Sequence, residues 1–281
     1  MGAPIAQQYR LYPARVVGVT RIGASTVRVT FGGAELAGFA GGGRDQSVSL
    51  FLPHPGQPAP VLPAQDGGED WFGAYRALDP EVRAVMRSYT IRAQRPEHAE
   101  VDIDFVVHGD TGPASRWAGR AGAGDQVVLL GPTTADNRSV CFRPPDDTGL
   151  ILLAADETAL PAVGGILDWL PAGTRVRAWI EVPDAADIQQ LSTAAQAEVR
   201  WLVRGSTPPG SRLLVDAVRA ARLPAGTPYA WVAGESSIVR AVRRHLVAER
   251  DLDRRRVTFS GYWRQGASED TLRAETLTAA A

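Results

Sequence analysis

The chain has 281 residues, 44% of them hydrophobic, enough apolar material for two ordinary domains or one large one. Its formal net charge of -1 excludes a global basic field that would hold nucleic acid or an anionic membrane, so any anion must be bound by local clusters. All 30 basic residues are arginine, which excludes lysine Schiff-base chemistry, and the single cysteine, Cys141, excludes an intrachain disulfide, a one-chain iron–sulfur cluster and a Cys-rich zinc site.

The N-terminal stretch MGAPIAQQYRLYPARVV lacks a charged start followed by an apolar core, and no later run reaches the ~18 apolar residues of a membrane span. We therefore expect a cytoplasmic monomer, in keeping with the low cysteine content.

Up to about Gly131 the apolar residues alternate, as in Val27, Val29 and Phe31, then Val101, Ile103, Phe105 and Val107, then DQVVLLG. Period two broken by glycine-rich turns predicts antiparallel strands with one buried face, as in a small barrel. Two segments depart from it: EDWFGAYRALDPEVRAVM (69–86) reads as helical, and FLPHPGQPAPVLPAQDGG reads as a Pro/Gly loop.

The stretch RSYTIR (87–92) reads as a strand, with Arg87, Tyr89 and Ile91 facing one way and Ser88, Thr90 and Arg92 the other. Its arginines either meet a bound phosphate or pair with Asp102 and Asp104 on a neighbouring strand. HGDTGPASRWAG follows with a turn into a helix. Pro113 suits the first helical turn, and small residues there let an anion reach the N–H groups of Ala114, Ser115 and Arg116. As pattern alone this is also an ordinary Gly-Pro turn.

After the turn PPDDTG at 144–149 the pattern becomes strand, helix, strand, helix: LILLAA, DETALPAVGGILDWL, RVRAWIEV, EVRWLVR, SRLLVDAVRAARL, YAWVAG, ESSIVRAVRRHLVAE and RVTFSGYW. Continuous apolar strands between amphipathic helices predict a parallel sheet covered on both faces. The seam falls near 135–148, giving domains 1–136 and 137–281, the second ending in a helix.

Ligands of such sheets sit beyond the carboxyl ends of the strands. Two of these ends carry polar residues: Asp156, Glu157 and Thr158 after LLAA, and Gly234, Glu235 and Ser236 after YAWVA. Neither has the GxGxxG fingerprint, and helix capping by Asp156, Thr158 and Ser236 explains them equally.

In this order, RSYTIR (87–92), VDIDFVVHGDTGPASRWA (101–118), GDQVVLLGP (124–132), ADETALPAV (155–163), YAWVAGES (229–236) and FSGYWRQGASED (259–270) resemble the siderophore-interacting protein family, FAD-dependent ferric-siderophore reductases of the ferredoxin-reductase-like superfamily. The resemblance runs from about residue 10 to 272. It implies a six-stranded antiparallel FAD-binding barrel followed by a parallel-sheet α/β domain for NADPH or NADH, with a ferric siderophore as substrate.

Carried over position by position, it implies that Arg87, Tyr89 and Thr90 hold the flavin and its phosphate, that Arg92 and His108 line the FAD site, and that Gly112, Ala114 and Ser115 cradle the pyrophosphate. Thr158, in a cofactor-binding motif with Asp156 and Ala159, would face the nicotinamide, with Gly234 and Glu235 close to it, and Tyr262, Trp263 and Arg264 would border the flavin. No side chain need act as acid or base.

Two departures stand out. The family pattern has a histidine and a basic residue where this chain has Ser47 and Ser49, so Arg44, or Arg254 to Arg256 with Arg264, would have to supply charge to an anionic chelate, although 254–256 also reads as a solvated face. Ala155 replaces the usual glycine. For the donor, Arg204 and Ser206 would hold the 2′-phosphate of NADPH, whereas Glu181 would bind the free ribose hydroxyl of NADH. The balance favours NADPH. Two other functions share the pattern: reduction of a flavin, quinone or protein, and a non-catalytic module that binds ferric chelates.

Overall fold

A computed structural model describes residues 8–64, 70–107 and 112–280. The chain forms two compact units, Met1–Ile22 with Thr26–Val140, and Gly23–Ser25 with Cys141–Ala281.

The first unit is a closed barrel. Its strands are β1 (Tyr9–Arg21), β2 (Thr26–Gly32), β3 (Ser47–Leu52), β4 (Val85–Arg95), β5 (Glu100–Val106) and β6 (Gln126–Pro132), in the order β1-β2-β5-β4-β3-β6. Alternation explains the interior: Val27, Val29 and Phe31 lie opposite Phe105, Ile103 and Val101, and all six are buried. Closure leaves no free sheet edge.

The helical reading of 69–86 holds only for α1 (Trp71–Ala77), which Asp70 caps by accepting the Gly73 N–H at 2.7 Å. Pro80 stops the helical pattern from continuing, and Val85 and Met86 already belong to β4. In β4 a bulge between Ile91 and Ala93 makes Arg92 the extra residue, so the predicted alternation ends there and Thr90 and Ile91 are both buried. Beyond β6, Asn137 donates to Gln46 Oε1 at 2.9 Å and the Ser139 carbonyl accepts the Ser47 N–H. These bonds tie residues past 136 into the barrel.

The second unit is a parallel sheet. It comprises β7 (Leu150–Ala155), β8 (Arg175–Val182), β9 (Gln196–Val203), β10 (Pro228–Glu235) and β11 (Val257–Trp263), in the order β11-β10-β7-β8-β9. All six residues of β7 are buried because both of its faces are covered. Ile151, Leu153 and Ala155 pack with α3 (Leu160–Trp169), while Leu150, Leu152 and Ala154 pack with α4 (Leu213–Ala220) and α5 (Ser236–Arg244). The last helix, α6, spans Glu269–Ala280. The chain reverses direction across the sheet between β7 and β10, and the carboxyl ends of these central strands form the crevice where open α/β sheets take ligands.

Candidate functional site

In the barrel unit the residues of interest lie on β4 and on α2 (Pro113–Ala118). The Tyr89 ring is 4.4 Å from that of Phe105, which contacts Trp117 at 5.8 Å, and Trp117 stacks on Phe31 at 6.1 Å. This aromatic cluster fastens α2 to the barrel wall that carries Tyr89. Gly112 precedes the helix in extended conformation with no side-chain cap, and Pro113 has no N–H, so Ala114 and Ser115 provide the first amides of the turn. A Cβ added at Gly112 would meet nothing within 4 Å. Thr90 is buried opposite Ser47, Ser49 lies opposite Ser88, and Arg87 donates to the Met86 carbonyl at 2.7 Å.

Asp102 and Asp104 are taken by other arginines: Arg95 makes a bidentate pair with Asp102 at 2.8 and 2.7 Å, and Arg28 one with Asp104 at 2.7 and 2.8 Å. His108 lies outside the described residues.

In the sheet unit Asp156 is the hub. Its buried carboxylate accepts the Thr158 N–H at 2.9 Å and hydroxyl at 2.5 Å, the Glu235 N–H at 2.8 Å and the Trp263 indole N–H at 2.8 Å, joining the ends of β7, β10 and β11. None of these donors is charged. Burial, together with the nearby Glu157 charge, therefore pushes Asp156 up to about 6 despite the hydrogen bonds. Gly234, at φ 139°, passes so close that a Cβ would sit 2.5 Å from this carboxylate.

Glu235, not Ser236, caps α5: its carboxylate accepts the N–H groups of Ser237 and Ile238 at 2.6 and 3.1 Å. Burial raises its pKa, but the Ser237 hydroxyl and the backbone donors outweigh that and hold it below the usual range. Ser236 instead donates to the Trp263 carbonyl at 2.9 Å. Ala159 is fully buried, and Tyr262 stands edge-on to Trp231 at 6.5 Å.

The residues weighed as alternative donor selectors form one network. Arg204 pairs with Glu157 at 2.7 and 3.0 Å and with Glu181 at 2.9 Å, all three buried. The two carboxylates hold the guanidinium's pKa above its ordinary value, while burial raises Glu181 against the pull of Arg204. The sequence carries no signal of the Glu157–Arg204 pair, because the two are 47 positions apart and only tertiary structure brings them together. Ser206 is exposed.

A narrow cleft beside this network is lined by Asp156, Glu181, Arg204, Gly210, Glu235 and Trp263, among others.

The arginines named as chelate contacts do not stay together, which corrects the grouping. Arg254 and Arg256 form a 3-10 turn before β11, and Arg264 follows its last residue, so the strand separates them by on the order of 20 Å. Arg256 pairs with Asp147, and Arg264 with Glu275 of α6 at 2.7 and 2.9 Å. In the barrel unit Arg44, at φ 57°, donates to the Gly42 carbonyl at 3.2 Å.

Comparison with known proteins matches residues 15–136 to the siderophore-interacting FAD-binding domain and residues 149–266 to the siderophore-interacting protein model. The ferric vibriobactin reductase ViuB of Vibrio cholerae serotype O1 is 31% identical over 270 residues, covering 95% of this chain and 94% of its own. The NADPH-dependent ferric-chelate reductase of Escherichia coli K12 is 29% identical over 263 residues, 92% of this chain and 95% of its own. Among solved structures, a siderophore utilization protein from T. fusca superposes with a TM-score of 0.78 at 35% identity, covering 93% of this chain and 95% of that one. With both units matched in order and relatives aligned nearly end to end, the chain belongs to the siderophore-interacting protein family.

Proposed function

We propose that the chain is an FAD-containing, NAD(P)H-dependent reductase of ferric siderophores. The observation that carries this is the end-to-end similarity to a ferric vibriobactin reductase across both the barrel and the sheet unit. The barrel's geometry supports the flavin part. The open approach at Gly112 and the position of the Ala114 and Ser115 amides in the first turn of α2 suit a diphosphate. Arg87 adds charge there, Thr90 a hydroxyl, and Tyr89, backed by Phe105, a flat face for the ring. Arg92 and His108 complete the assignment.

Bound FAD supplies the conversion of a two-electron hydride donor into one-electron transfers to ferric iron. NAD(P)H gives up a hydride and two ferric ions each gain one electron. Iron leaves because Fe³⁺ binds hard anionic oxygens more strongly than Fe²⁺ does. The chain's own residues bind and align. Asp156 holds Thr158 and the Trp263 indole in fixed orientation, Gly234 gives backbone access, and Glu235 fixes the start of α5. Tyr262 and Ala159 shape the same end of the sheet. For the anionic chelate we assign Arg264 in the sheet unit or, as the alternative, Arg44 in the barrel unit. No helix among the described residues is long and apolar enough to cross a membrane, and we assign the reaction to the cytoplasm, with the protein acting as a monomer.

The test is stopped-flow spectroscopy of the purified yellow protein: anaerobic bleaching by NADH or NADPH, then mixing with hydroxamate and catecholate ferric siderophores. Rapid return of the flavin absorbance with ferrous iron trapped by a chelator is expected. A flavin that quinones or free flavins reoxidise but ferric chelates do not would assign another acceptor. Chelate binding with a flavin that neither nucleotide bleaches would make the protein a binding module. Arg87→Ala should weaken FAD retention at least about tenfold, the loss of one charge-assisted phosphate contact.

A further inference from the structure

Every carboxylate and the single guanidinium in the wall of the sheet-unit cleft already has a partner, and the sum is acidic. Arg204 is the one cation among the cleft-lining residues, which include the carboxylates of Asp156, Glu181 and Glu235, and it also pairs with Glu157. Its Nη1 bonds both Glu157 and Glu181, its Nη2 bonds Glu157, and its side chain is 5% exposed. A guanidinium that serves a phosphate must offer its fork to solvent; this one is turned into the protein and more than neutralised by two carboxylates.

Position matters as well. β8 lies next to β7 in the sheet, and Glu181 is its penultimate residue. The end of the strand beside the first one is where parallel nucleotide-binding sheets place the acidic group that discriminates at the adenosine ribose.

We propose that this cleft selects NADH over NADPH, because the Glu157–Arg204–Glu181 triad presents the ribose 2′ position with net negative charge and withholds its only cation. The inference rests on the nicotinamide-dependent reading above and narrows its donor. It also reverses the balance drawn from sequence, where Arg204 was a phosphate ligand. Arg204, Glu157 and Glu181 are thus positioning residues, acting on specificity through the field and the committed geometry.

The test is isothermal titration of the purified flavoprotein with NAD⁺ and with NADP⁺, which reads binding without turnover. NAD⁺ is expected to bind at least about tenfold more tightly. The gap should narrow as salt is raised, because screening weakens charge repulsion and leaves a purely steric filter untouched. The double variant Glu157→Gln/Glu181→Gln, which removes both negative charges and leaves the guanidinium unneutralised, should shift the NADP⁺-to-NAD⁺ affinity ratio about tenfold or more toward NADP⁺. If the double variant does not fold, Glu181→Gln should move the ratio in the same direction by a smaller factor.

A wild-type protein that binds NADP⁺ as tightly as NAD⁺, or a ratio indifferent to salt and to both variants, overturns the proposal. These failures leave ferric-siderophore reduction standing. Conversely, NAD⁺-selective binding in a protein that reduces no ferric chelate supports the selection and removes only the acceptor assigned above.

Discussion

Asp102 in the barrel and Asp156 in the sheet unit are both buried aspartates, yet they are answered in opposite ways. Asp102 meets a bidentate arginine and the Thr30 hydroxyl at 2.7 Å, and although burial alone would raise its pKa, the Arg95 pair brings it below the ordinary carboxylate range. Asp156 meets only neutral donors, and burial wins. A charge balanced at its own site is scaffold. A carboxylate left without a cation at the ligand end of a parallel sheet has its pKa raised by burial, which is the physical support for our assigning Asp156 to the nucleotide end of the sheet. The Arg204 triad belongs with Asp156: it has a cation, but fewer cations than carboxylates.

The contrast breaks most severely at Arg204. Arg204→Ala strands Glu157 and Glu181 in the interior, and we expect a loss of about 3–5 kcal/mol, read as a lower urea midpoint. Next comes the pH signature of Asp156. Its pKa is raised in the folded state, so the native protein binds the proton more tightly than the unfolded chain between 3.8 and about 6. Its contribution is present below 3.8 and is lost as pH rises through about 6, on the order of 3 kcal/mol. In Asp156→Asn that decline should be absent, whatever the variant's overall stability. Unfolding curves across this window, wild type against variant, measure it.

Asp102 predicts the reverse sign. With a depressed native pKa it stabilises above the ordinary carboxylate range and loses that contribution as pH falls through the lowered value. Arg95→Ala should cost about 1–2 kcal/mol near neutrality, discounted because the guanidinium is partly exposed, and the deficit should shrink in acid. If both aspartates gave the same slope, the division into scaffold and functional carboxylates would fail. The smallest effect belongs to Arg255, exposed and paired only with Asp253 two residues away; Arg255→Ala should leave the denaturation midpoint unchanged.

Much of this was legible in the residues. Alternation at Val27–Phe31 and Val101–Phe105 specified barrel strands because side chains of period two can bury only one face. The unbroken apolar run Leu150–Ala155 specified a strand covered on both sides, and the ordered motifs from Arg87 to Asp270 marked the family. The strict alternation read for RSYTIR, with Arg92 on the face of Ser88 and Thr90, ended at Arg92, since a bulge is set by the register of two strands and leaves no mark in one of them.

Sequence by itself thus determined which segments are strands and helices and where the chemistry-bearing residues cluster, since these follow from local period and residue type, while its ordered motifs carried the resemblance that implies nucleotide chemistry. Only the tertiary structure decided which charges meet. Arg204 and Glu157 are 47 positions apart, and Trp263 and Asp156 are 107 apart. Strand order brings them within hydrogen-bond reach, and whether a guanidinium faces a ligand or a carboxylate depends on that pairing, which no local pattern encodes.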